Sequence, residues 1–327
     1  MSSKDTSDPA CCLITGGAGF VGSRLRHVLQ GRYRLVLVDD QSAGLPLPPE
    51  RDGLSCHLAD VRDLAAVTDV FARHRPEVVV HLAAIHHIPT CEADPYRATE
   101  VNVMGFQRIL EACRANGCRK VVLASSGAVY DWVEGPLVET APVAPRDVYA
   151  CSKAANEHQL AAWCASTGGT GSIARMFNVI GPNDPNGHLI PDVLGRLEQA
   201  AGPVVELSLG NITTRRDFVD VDDMAAGLAA IVSSSALPPG RATTINLCGG
   251  ADHTAAEIAG LLAAAMGLEA RITSIPELRR SVDRPSQLGD PAKASALLGW
   301  RATRTLADSV QAIVREWQAG RGRPCRG

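Results

Sequence analysis

Tyr149 and Lys153 are four residues apart at the start of a segment with helical spacing, so both side chains project from one helix face and can meet one substrate. Upstream, Ser125 and Ser126 end an apolar run of strand length, at the kind of sheet edge where ligands of doubly wound folds bind. A hydroxyl, a phenol and an ammonium brought together suit the oxidation of an alcohol or its reverse. Removing the hydroxyl proton as hydride departs requires a base, and an isolated tyrosine, with a pKa of about 10, is a poor base at neutral pH. A neighbouring ammonium favours the phenolate and lowers that pKa toward the working range. Tyr149 is therefore read as the acid/base, Lys153 as its electrostatic tuner and a ribose ligand, and Ser126 as the hydroxyl that orients the substrate oxygen.

The hydride needs an acceptor, and the chain carries a loop for one. Thr15-Gly16-Gly17-Ala18-Gly19-Phe20-Val21-Gly22 follows an apolar run and opens a helical segment. Gly16, Gly19 and Gly22 allow a tight turn that brings backbone N–H groups to a pyrophosphate at a helix N-terminus. Roughly 20 residues beyond the loop, the next apolar run ends in Asp39, whose carboxylate can accept from ribose hydroxyls and would repel a 2′-phosphate. The cofactor expected is NAD.

The elements that must position these groups follow from the hydrophobic pattern. Cys11–Thr15, Arg34–Asp39, Ser55–Ala59, Val78–Ala83, Lys120–Ser125 and Ser172–Phe177 are short, nearly continuous apolar runs, as in strands buried on both faces of a parallel sheet. Between them, Val21–Gln30, Leu64–His74, Tyr96–Asn116 and Tyr149–Thr167 have helical spacing. The fold class predicted is α/β: a Rossmann-type doubly wound parallel sheet over 11–180 with a smaller C-terminal α/β substrate lobe. That lobe, mainly 181–319 with some chain returning to the core, holds strands near Val204–Leu207 and Thr244–Leu247. Its helices fall near Asp222–Val232, Thr254–Ala265, Pro291–Leu298 and Leu306–Trp317. Residues 1–10 and 320–327 read as disordered tails.

Composition narrows the partners. A net charge of −3 over 327 residues offers no basic field for nucleic acid. No apolar run approaches the roughly 18 residues that span a bilayer, and the first ten residues do not read as a signal peptide, so a cytoplasmic protein without a membrane partner is expected. The ten cysteines contain no Cys-x-x-Cys pair and lie mostly in apolar segments, and the adjacent His86 and His87 point in different directions on any regular element, so no metal site is expected.

Taken with Asp60-Val61, His81-Leu82-Ala83-Ala84, Asn102 and Asn178-Val179-Ile180-Gly181-Pro182, these motifs resemble the extended short-chain dehydrogenase/reductases, the sugar-nucleotide epimerases and dehydratases, over Cys11 to Trp317. The resemblance implies that Phe20 and Val21 touch the pyrophosphate, Asp60 and Val61 the adenine, and Leu82, Ala83 and Ala84 the inner face of the cofactor. It implies Asn102 and Phe177 near the nicotinamide, Arg216, Arg280 and Asn178 on a substrate diphosphate, and Gln287 gating the sugar pocket. Guanidinium groups suit that task because their donor fork matches phosphate oxygens. Gly127 and Ala128 follow Ser126 where the family's dehydratases resemble one another in carrying acidic residues, which disfavours dehydration. The implied activity is NAD-dependent 4-epimerisation of a nucleotide sugar through a 4-keto intermediate, with a homodimer as the usual assembly. The alternative is a ketoreductase or dehydrogenase on a similar sugar, with net cofactor turnover. A non-catalytic NAD-binding scaffold is a third reading, set against by the presence of both Tyr149 and Lys153.

Overall fold

The computed structural model describes residues 9–184, 189–278 and 284–320. In chain order it begins β1 (Cys11–Thr15), α1 (Phe20–Leu29), β2 (Arg34–Asp39), β3 (Leu54–Leu58), α2 (Leu64–His74) and β4 (Val78–His81). Then come α3 (Ile88–Ala93), α4 (Pro95–Thr99), a π-helical turn at Glu100–Met104, α5 (Gly105–Ala115), β5 (Lys120–Ser126), α6 (Val148–Thr167) and β6 (Thr170–Met176). The chain continues through β7 (Asn178–Ile180), α7 (Leu189–Glu198), β8 (Val204–Leu209), β9 (Arg215–Asp220), α8 (Val221–Ser233) and β10 (Ala242–Leu247). It closes with β11 (Asp252–Thr254), α9 (Ala255–Ala265), β12 (Glu269–Ser274), β13 (Ser286–Gln287), α10 (Ala292–Leu298) and α11 (Leu306–Gly320).

Two compact units form. The first comprises the chain up to Val129, Pro145–Arg175 and Ala225–Ile245; the second comprises Tyr130–Ala144, Met176–Met224 and the chain from Asn246. The seven-stranded sheet runs β10-β6-β5-β4-β1-β2-β3, with parallel pairing from β5 through β3. The strand order reverses between β1 and β4, the switch point at which open α/β sheets leave a crevice beyond their carboxyl ends. Register aligns those ends: Thr15 pairs with Val38 on one side and His81 on the other, so Gly16, Asp39 and Leu82 leave the sheet at one level. His81 in turn pairs with Leu123, and β5 continues three residues further to present Ser126 beyond that level.

The apolar runs form strands because both faces are covered: successive residues of β1 and β4 are all buried, and on one face Leu13, Val36, Val79, Val121 and Leu123 share a core with Phe71, Phe106, Ile109, Leu160 and Trp163 of the flanking helices. In two places the fold departs from the sequence reading. The span Tyr96–Asn116 is helical without a break from Pro95 to Ala115, as read, but it widens to a π-helical turn at Glu100–Met104, which the reading did not include. Thr244–Leu247 is part of β10, at the edge of the central sheet beside β6 and not in a lobe of its own. Gly171 of β6 makes that pairing close, because a Cβ there would stand 2.5 Å from Cys164 Sγ and 3.1 Å from the Cα of Ala242. In the second unit, β9 pairs with β7, β11 and β13, and β8 with β12; Leu194, Leu197, Leu207, Ile258, Leu262 and Val310 belong to its own core.

Candidate active site

The glycine loop leaves β1 at Gly16, whose φ of +69° and missing Cβ both matter, since a Cβ there would lie 2.8 Å from Ala83 N. Gly22 is equally restricted: its Cβ would lie 2.1 Å from Gly16 O. Gly19 is the N-cap of α1 and offers no side chain to its backbone N–H groups, which leaves the helix N-terminus to an anion. Phe20 and Val21 form the first residues of that helix. Asp39 accepts from Ala18 N at 2.9 Å and from Gln41 N at 2.8 Å, and each oxygen keeps a lone pair for a ribose hydroxyl. Burial pushes its carboxyl above the usual range while those N–H groups pull it back. Leu82 to Ala84 run beside the loop, with Leu82 N on Thr15 O. The donor set fits a dinucleotide: a glycine turn, a helix N-terminus without a side-chain cap and an acidic group at the next strand end.

Ser126, Tyr149 and Lys153 come together in the first unit. Asp147 caps α6 by accepting from Ala150 N at 2.7 Å, which starts the helix so that Tyr149 and Lys153 fall one turn apart. Lys153 is buried; its Nζ donates to Ala124 O at 2.8 Å and lies 5.8 Å from the centroid of the Tyr149 ring. The Tyr149 phenol is hydrogen-bonded to Ser126, whose Oγ also accepts from Ala128 N at 3.1 Å. The electrostatics correct one expectation. Burial pushes the Tyr149 phenol up to about 12 instead of down, with Asp147 and Cys91 adding to the rise, and the hydrogen bond with Ser126 is what pulls it back. Burial also lowers Lys153 to about 8, so its ammonium is itself held near its titration point.

The remaining sequence-predicted residues divide by unit. Asp60 binds Arg62 at 2.7 Å, which holds its carboxyl below the usual range, and Val61 packs in the core against Gly105. Asn102 is fully buried and grips the loop after β4: its Oδ1 accepts from Ile85 N at 2.8 Å, and its Nδ2 donates to Ile85 O and Ser152 Oγ. In the second unit, Phe177 is buried with Tyr130, Leu137 and Cys248, and Asn178 Nδ2 donates to Asp217 O at 3.1 Å. Arg216 and Gln287 are register partners on β9 and β13, and Arg216 Nη1 donates to Arg284 O at 2.7 Å. Arg280 lies outside the described residues.

Three further residues, Gly44, His81 and Asp217, contribute in ways that the sequence reading did not assign to them. Gly44, at φ +91°, lies against the phosphate loop, where a Cβ would come within 2.7 Å of Ala18 O. His81 is buried beneath the loop with Nδ1 2.8 Å from Thr15 Oγ1, and burial pushes it down to about 3, so it is a neutral brace. Asp217 accepts from Gly249 N, Gly250 N and Gly289 N, tying β9 to the segment that carries Gln287.

Residues 12–248 match the family model described as the NAD dependent epimerase/dehydratase family. The chain is 32% identical to the UDP-glucose 4-epimerase of Mycolicibacterium smegmatis, with 92% of this chain and 96% of that protein covered. It is 29% identical to the GDP-6-deoxy-D-mannose reductase of Pseudomonas aeruginosa, over 94% of this chain and 96% of the relative. Among solved structures, the UDP-glucose 4-epimerase of Thermus thermophilus in complex with NAD superimposes with a TM-score of 0.84 at 31% identity, covering 94% of this chain and 99% of that one. With the family model matching residues 12–248 and a relative 32% identical over nearly the whole length of both chains, this chain is an enzyme that belongs to the NAD-dependent epimerase/dehydratase family.

Proposed function

We propose that this chain is a nucleotide-sugar 4-epimerase that works through a transient 4-keto sugar. The observation that carries the reading is the meeting of Ser126, Tyr149 and Lys153 beside a loop fitted for a dinucleotide, with Gly127 and Ala128 where an eliminating acid would stand. Tyr149 takes the proton of the C4 hydroxyl, and Ser126 Oγ holds the same oxygen. NAD bound at the glycine loop would supply the hydride acceptor and then the donor that gives the same hydride back to the keto carbon, and the positive charge of its oxidised ring would favour the phenolate. Lys153 adds a second positive charge and fixes the end of β5 through Ala124 O. Tyr149 then returns the proton once the sugar has presented its other face. Asn178, Arg216 and Arg280 are assigned to the substrate diphosphate, and Gln287 to the sugar pocket; Asp60, Val61, Leu82 to Ala84, Asn102 and Phe177 are assigned to the cofactor.

The test is to incubate the purified protein with a panel of nucleotide sugars while following the reduced-nicotinamide band and the C4 configuration by NMR. Inversion without released NADH supports the epimerase, and absence of inversion across the panel overturns it. The similarity to the Pseudomonas aeruginosa reductase favours a second reading, reduction of a 4-keto sugar, in which cofactor is consumed stoichiometrically. We also assign the protein to the cytoplasm, because every cysteine among the described residues is a free thiol, as in a reducing compartment. A homodimer is proposed from the exposed Tyr96 and Met104.

A further inference from the structure

The last three residues of β5 each hold one side chain of α6. Ala124 O takes Lys153 Nζ at 2.8 Å, Ser125 Oγ donates to Glu157 Oε1 at 2.5 Å, and Ser126 is bonded to Tyr149. Tyr149, Lys153 and Glu157 are successive i, i+4 positions, so strand and helix are joined at three consecutive turns. Two of these joints belong to the catalytic set. The third continues into β6, where Arg175 grips the same carboxylate with two bonds, Nε to Oε1 at 2.9 Å and Nη2 to Oε2 at 2.6 Å. Both charges are buried, with Glu157 8% exposed and Arg175 5%.

We propose that Glu157, fixed by Arg175 and bonded to Ser125, is a positioning residue that sets the axial register of α6 against β5, and so the distance between Tyr149 and Ser126. A buried ion pair adds little net stability over an apolar pair of the same volume, because both ions are taken out of water. It does add direction: the paired bonds of a guanidinium fork admit one carboxylate geometry. Glu157 is thereby held against β6, and its hydrogen bond to Ser125 transmits that position to the strand end. A shift of about 1 Å in such a site is enough to lower turnover about 100-fold.

This inference rests on the reading of Tyr149 as the acid/base, and one readout keeps it separable from the substrate assignment. Ser125→Ala removes the link to the strand and leaves the ion pair intact; Glu157→Gln removes the charge. In Ser125→Ala we expect kcat to fall tenfold or more while KM for the nucleotide sugar and Kd for NAD stay within threefold. Ultraviolet titration of tyrosinate, with the Tyr149 component identified by its loss in Tyr149→Phe, needs no substrate. Its midpoint is expected to move upward in Ser125→Ala as the Ser126 bond loosens. Glu157→Gln should show the same two changes in the fraction that remains folded. The proposal is overturned if both variants keep kcat per folded molecule within twofold, or if the Tyr149 titration is unmoved while only the thermal midpoint falls.

Discussion

At the residue scale, the phenol of Tyr149 is the group whose loss is most informative. Tyr149→Phe keeps the ring and removes the proton carrier, so kcat is expected to fall by about 10²–10⁴ with NAD affinity unchanged by calorimetry; turnover near the native rate would remove Tyr149 from the mechanism. Lys153 makes a prediction in pH. Its folded pKa is lowered to about 8, so the ammonium, and the turnover that depends on it, is lost as pH rises through 8. Stability responds in the opposite sense: between about 8 and the unfolded value of about 10.4 the folded state binds fewer protons, so this group makes folding more favourable as pH rises. Lys153→Arg does not titrate in this range, and the alkaline limb of kcat should vanish from whatever activity remains; a limb unchanged in that variant would assign it elsewhere. Gly44 gives a third case. An alanine there must hold φ near +91° and place its Cβ 2.7 Å from Ala18 O, so Gly44→Ala should displace the phosphate loop and weaken NAD binding about tenfold, or ~1.4 kcal/mol. Gly16, Gly19 and Gly22 were legible because their requirement is local to one turn. Gly44 was not, because its constraint comes from a loop 26 residues earlier in the chain.

Elements were legible where their boundaries are set by short-range chemistry. Cys11–Thr15, Arg34–Asp39 and Leu64–His74 stand where periodicity placed them, the helix capped by Asp63, which accepts from Ala65 N and Ala66 N. The details that were not legible depend on distant partners. Asn102 holds both backbone groups of Ile85 and thereby draws the Glu100–Met104 turn toward β4, a demand that no helical period records. The return of Ala225–Ile245 to the first unit likewise has a tertiary cause. Buried Lys120, at the start of β5, donates to Ile231 O at 2.6 Å, Val232 O at 3.0 Å and Ser234 O at 2.9 Å, capping the end of α8 with a full set of ammonium donors. Three terminal carbonyls and the negative end of the helix dipole are satisfied at once. Lys120→Met removes those donors and keeps the apolar stem, so urea unfolding should show a loss of about 2–3 kcal/mol. A loss below about 0.5 kcal/mol would mean that water replaces the ammonium without cost.

For the whole molecule, charge and surface decide which partners are open to it. No helix among the described residues is long and apolar enough to cross a membrane, and no cluster of metal-ligating side chains occurs among them. The surface gives a more specific signal in Tyr96, 81% exposed, and Met104, 48% exposed, which stand eight residues apart on the helical stretch between β4 and β5. Apolar surface left in water forfeits roughly 25 cal/mol per Å² relative to burial, and aromatic residues and methionine are enriched where subunits meet. A second copy of the chain, bringing the same pair, would cover both. Light scattering at micromolar concentration should therefore give twice the chain mass of 34.4 kDa, and Tyr96→Lys with Met104→Glu should give the single-chain mass while the far-ultraviolet spectrum and NAD affinity persist. If the native protein runs as a monomer across that range, the exposed pair is not a subunit contact, and each copy would have to hold its site without a partner.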